Sequence, residues 1–83
     1  MNAIVVCYSP DKGVLFAEIG HNEEECNGII FSSIIDLIKD HQKEKAPAPT
    51  VNFRIETDAL GTWIYKVIID YREEYIYKIL TQN

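Results

Sequence analysis

The sequence predicts an α+β fold: a small antiparallel sheet of four or five strands with one or two helices on one face. Three observations predict it. The stretches "AIVVCY" (3–8) and "TWIYKVII" (62–69) are short, β-branched apolar runs bounded by turn residues. The stretch "VNFRIE" (51–56) alternates apolar and polar residues, as a strand with one wet face does. Between them, Cys26, Ile30, Ile34 and Leu37 recur at helical spacing, with Phe31 and Ile38 beside them. The chain has 83 residues, of which 47% are apolar and 25% charged, so it is read as a single domain over 1–83 that folds. A chain this short buries only about 60% of its unfolded surface, which leaves no room for a second core.

The elements follow in order. Residues 3–8 form a strand buried on both faces. "SPDKG" is a hairpin loop in which Gly13 supplies a positive φ. "VLFAEI" (14–19) is the returning strand, broken by Gly20. Asn22 then caps a helix, and Glu25 three residues on completes a capping-box pattern. Glu23 and Glu24 sit where the helix dipole favours negative charge. The helix runs from about 23 to 42, with Asp36–Lys39 and Asp40–Lys43 as pairs on its wet face, and ends before "APAP" (46–49). A strand over 51–56, a turn at "TDALG" with Gly61 at positive φ, and a central strand over 62–69 come next.

The tail "DYREEYIYKILTQN" has two readings. Its Tyr and Ile content favours a strand. A helix is favoured by the Asp70/Glu73 capping pattern, by the spacing of Tyr71, Tyr75, Ile76, Ile79 and Leu80, and by the lack of Gly, Asn or Pro at a turn. A hairpin centred on Arg72 would also oppose Lys66 to Lys78 and Asp70 to Glu74. Gly13, Asn22 and Glu25 recur as Gly61, Asp70 and Glu73, each 48 positions later. The preferred order is therefore ββα-ββα, with halves 1–45 and 50–83 joined by 46–49, and ββαβββ is the alternative.

The net charge of −5, from 13 acidic and 8 basic residues, argues against direct contact with nucleic acid or an anionic membrane. It weakly favours a protein partner with a basic surface. Two cysteines are too few for a disulfide-stapled secreted domain. The opening "MNAIVVCYSPDKG" lacks a basic n-region, and no run approaches the roughly 18 apolar residues of a membrane span. A reduced, cytoplasmic protein is expected.

"GHNEEEC" (20–26) is the stretch closest to chemistry. Its His21-x-Glu23 resembles one half of the zinc deaminase signature, but the Pro-Cys-x-x-Cys half that completes the metal site is missing. Cys7, His21, Cys26 and His41 lack the close ligand pairs of a zinc site, and His21 and His41 lie at opposite helix ends, roughly 30 Å apart at 1.5 Å per residue. Adjacent carboxylates on a helix point about 100° apart and cannot converge on one bond. The cluster is read as a helix start, His41 as a partner of the last helical carbonyls, and both cysteines as core. No catalytic residue, metal site or cofactor is assigned. Aromatic side chains crowd the C-terminal third, so Tyr71, Tyr75 and Tyr77, rimmed by Glu73 and Glu74, are the expected contact residues. The expected function is a small acidic non-enzymatic protein-binding module: a regulator, adaptor or inhibitor. A nucleic-acid mimic that inhibits a nuclease or other nucleic-acid-binding protein is the alternative, and a small ligand- or metal-binding protein the second. Sheet edges and tyrosines also admit a homodimer.

Overall fold

The computed structural model describes residues 2–44 and 49–81. Its order is β1 (Ala3–Ser9), β2 (Gly13–Gly20), α1 (Glu23–Glu44), β3 (Val51–Thr57), β4 (Trp63–Ile69) and β5 (Glu73–Thr81). The five strands make one antiparallel sheet in the order β2-β1-β5-β4-β3, with α1 packed on one face. The α+β class predicted from the sequence is thus the one observed. The connector over 46–48, and with it any exchange of halves between chains, lies outside the described residues.

The helix starts as its sequence dictates. Asn22 Oδ1 accepts from the Glu25 amide at 2.8 Å, and the Glu25 carboxylate accepts from the His21 amide at 3.2 Å. Cys26, Ile30 and Ile34 are buried, with Ile29, Leu37 and Ile38 beside them. They meet a sheet face made by Ala3, Val5 and Cys7 of β1, Val67 and Ile69 of β4, and Tyr75 and Tyr77 of β5. Gly20 ends β2 directly beneath the first helical turn: a Cβ there would lie 2.5 Å from Cys26 Sγ. Strand β1 lies inside the sheet, but only its odd-numbered residues face the helix; Ile4, on the other face, stays part-exposed.

The tail is a strand, which corrects the preference for a second ββα unit. The hairpin turns on Asp70 and Tyr71, both at left-handed φ (52° and 61°), with the Arg72 amide donating to the Ile69 carbonyl at 3.2 Å. Its register pairs Ile69 with Glu73 and Lys66 with Ile76, one residue away from the centre assumed from sequence. The opposed lysines therefore never arise. Lys66 instead bonds Glu74 at 3.1 Å and Glu56 at 3.3 Å. Asp70 caps no helix: its Oδ1 accepts from the Thr50 amide at 3.1 Å and its amide donates to the Thr50 carbonyl at 2.9 Å. A strand wins because β5 fills the centre of the sheet and pairs on both sides, with β1 from Ala3↔Thr81 to Tyr8↔Ile76 and with β4. A surface helix would leave one edge of each neighbour unpaired. Strand β4, expected to be central, lies one place from the edge.

Candidate protein-binding site

The five expected contact residues do not form one surface. Tyr77 is fully buried and shares a 2.8 Å hydrogen bond with Ser33 Oγ of the helix. Tyr75 is 6% exposed. Both are core because β5 is central and its odd-numbered residues point at α1. Glu73 is held by His41, and Glu74 by Lys66. Tyr71 alone projects, 76% exposed at the hairpin tip. The count of aromatics in 15 residues was a sound signal of packing. It did not separate core from interface, since that depends on which strand is central.

His41 behaves as its place in the last turns of α1 implies. Nδ1 lies 3.2 Å from the Leu37 carbonyl oxygen, and Nε2 meets the Glu73 carboxylate. These two contacts tie the end of the helix to the start of β5. His21 is exposed and donates from Nδ1 to Asn2 Oδ1 at 3.2 Å. The acidic stretch thus opens the helix and gathers no partner set around His21. Among the described residues no three His, Cys, Asp or Glu side chains come together as a metal site, and no helix is long and apolar enough to cross a membrane. Burial pushes the Cys7 thiol up, partly offset by its hydrogen bond with Tyr77, and pushes the Tyr77 phenol up as well. A thiol held protonated in the core is a packing group and a poor nucleophile.

The feature that stands out was not found from sequence. Between helix α1 and β2 runs a cleft of about 920 Å³. Its floor is apolar: Cys7, Leu15 and Phe16 from the sheet, Ile29 and Leu37 from the helix. A β-bulge opposite Cys7 and Tyr8 helps to make it. Cys7 pairs with Phe16 and Tyr8 with Val14, so Leu15 is the extra residue, and both Leu15 and Phe16 line the cleft. Gly28 on the helix leaves the wall open, with nothing within 4 Å of where its Cβ would be. The rim is acidic. Glu18 comes from β2, and Glu25, Asp36 and Asp40 from one stripe of α1. No lysine or arginine is among the described residues that line it, and Asp36 makes no close ion pair with any described cation. Periodicity could have placed Glu25, Asp36 and Asp40 on one side of the helix. The partner wall from β2 is a long-range contact that no local pattern encodes.

No protein-family model matches this chain, and neither a curated protein nor a solved structure matches it.

Proposed function

We propose that this chain is a non-enzymatic protein-binding module whose recognition surface is the cleft between α1 and β2. The partner it fits is a protein segment that is basic and amphipathic: apolar side chains for the Leu15–Phe16–Ile29–Leu37 floor, Lys or Arg for the rim. The observation that carries this is the combination of an open apolar floor with four carboxylates and, among the described residues, no lining cation. Apolar grooves flanked by charge are a recurrent way to hold an amphipathic helix or extended segment. The floor supplies affinity, and the rim selects basic partners and speeds their approach. Such a surface suits a small regulator, adaptor or inhibitor.

The test is titration of short basic amphipathic peptides, followed by amide shifts in the protein. Binding should perturb the amides of Gly28, Ser32 and Asp36, and the Asp36→Lys, Asp40→Lys double variant should bind about tenfold more weakly or worse. Peptides that perturb another face, or that bind the folded double variant equally well, would overturn the assignment.

The second reading, a nucleic-acid mimic, draws on the same stripe of Glu25, Asp36 and Asp40. It predicts that this chain, through that face, competes with nucleic acid for the basic groove of a nucleic-acid-binding protein. Such binding falls steeply between low and physiological salt, because charge alone holds it. A partner anchored on the apolar floor loses far less.

A further inference from the structure

The geometry points to a second copy of this chain as the occupant of the β3 edge, at the opposite side of the sheet from the cleft, in one defined antiparallel register. Strand β3 is the sheet's last strand, with no neighbouring strand on its outer side among the described residues. The Thr50 amide and carbonyl both bond to Asp70, and the Asp58 amide bonds to the Thr62 carbonyl, so even-numbered residues point their backbone groups inward to the β4 side. By alternation, Phe53, Ile55 and Thr57 turn theirs outward, unpaired by any described strand. The side chains on this edge are not those of a strand protected from pairing. Phe53 and Ile55 are 42% and 56% exposed on the helix face, and Phe31 and Ile35 of α1 are half-exposed on the same side. Phe31 stands 6.3 Å from Phe53, ring centre to ring centre. Exposed edges of this kind pair with another strand.

Charge selects which strand and which register. Arg54 lies on the open face, directly across from Lys66. Lys66 takes Glu56 and Glu74, and no described carboxylate pairs with Arg54. Two β3 strands related by a two-fold axis at Ile55 place Arg54 opposite the partner's Glu56, twice. In that register Ile55 meets Ile55 and Phe53 meets Thr57, each pair exchanging two backbone hydrogen bonds through its outward groups. Centring on Arg54 would oppose two arginines, and centring on Glu56 would oppose two glutamates, which is unfavourable in both cases. A two-fold contact uses the same patch on both chains, as a self-complementary edge requires. The product is one continuous ten-stranded sheet. Both helices lie on one face, Phe31 and Ile35 turn toward the seam, and the two clefts sit free at the outer ends. The inference does not rest on the protein-binding reading of the cleft. If both hold, the dimer is a bivalent binder.

Sedimentation equilibrium on the intact chain tests it. The wild type should be a dimer. Arg54→Glu alone sets glutamate against glutamate, and Glu56→Arg alone sets arginine against arginine, so each should weaken self-association by about tenfold or more. Mixed in equal amounts, the two variants should pair with each other, since every cross-strand contact is then of opposite sign. Circular dichroism and thermal unfolding establish that each is folded. If either variant fails to fold, Ile55→Cys decides the matter. It should form an intersubunit disulfide under mild oxidation, because Cα atoms opposite in a narrow pair are about 5.5 Å apart. Val51→Cys should not. A wild type that stays monomeric to its solubility limit, a dimer indifferent to both single variants, or variants that do not pair when mixed would each overturn the proposal.

Discussion

Two glycines show how close packing at single residues shapes this protein. Gly20 is buried where β2 passes under α1, and an added methyl would meet Cys26 Sγ at 2.5 Å and the Cys26 amide nitrogen at 3.2 Å. The backbone neighbour cannot swing away. Gly20→Ala should therefore cost about 1–3 kcal/mol, the usual penalty of overfilling a packed core. Gly28 is the contrast. It lies mid-helix with open space around it, so Gly28→Ala should stabilise by about 0.5–1 kcal/mol through helix propensity alone. Urea unfolding of both variants reads the two signs directly. Equal effects would mean that the approach of β2 to the helix is looser than described. Gly20 was legible only as a strand breaker. Its packing role depends on Cys26, whose place above it is set by the helix cap.

At the scale of elements, the β4–β5 hairpin carries the largest local conflict. Tyr71 sits at φ 61°, a region that costs a non-glycine residue about 1–2 kcal/mol, and its ring is exposed. Tyr71→Gly should relieve this and raise the unfolding free energy by about 0.5–1 kcal/mol, measured by chemical denaturation. A loss of stability would show that the exposed ring makes a contact that matters. The missing Gly or Asn is also why the turn was not legible: sequence rules look for residues that fit left-handed φ, and here the sheet imposes it on residues that do not. The β3–β4 hairpin is the opposite case. Gly61 holds φ 81° as predicted, and Asp58 Oδ1 accepts from the Leu60 and Thr62 amides at 2.9 Å each, while Oδ2 meets Lys78 Nζ at 3.2 Å. The bond from Thr62, above all, holds the Asp58 carboxyl below its ordinary value of 3.8, helped by Lys78 and Leu60. A carboxyl whose folded value is lowered stabilises the fold above its unfolded value, and that contribution vanishes as pH falls through the folded one. Acidification below about pH 4 should therefore loosen this hairpin. Asp58→Asn should lower stability at neutral pH and flatten the acid limb of a stability–pH profile; an unchanged limb would locate the acid sensitivity elsewhere.

At the scale of the whole molecule, the decisive fact is that the last strand lies in the middle. With β5 between β1 and β4, the first and last strands pair along their length, and the sheet has β2 and β3 as its edge strands among the described residues. One edge borders the acidic cleft and the other is the self-complementary Arg54–Glu56 strand. Both proposed binding surfaces follow from this order. Inserting β5 also explains why the tyrosines expected at an interface lie in the core: Tyr75 and Tyr77 are inner-face residues of the most enclosed strand.

The sequence by itself determined what is local. Apolar runs set β1, β2 and β4, apolar period set β3 and the helix, Asn22 and Glu25 set where that helix begins, and Gly13 and Gly61 set two of the three turns. These are interactions among residues a few positions apart, so their physics is complete within a short window. The tertiary structure decided the state of the tail, the side of the sheet that Tyr75 and Tyr77 face, and the cleft between α1 and β2. Each depends on pairing residues far apart in the chain, such as Ala3 with Thr81, whose free energy enters only when the whole sheet closes. The 71–81 stretch carries helix and strand signals of similar strength, and the unpaired edges of β1 and β4 broke the tie.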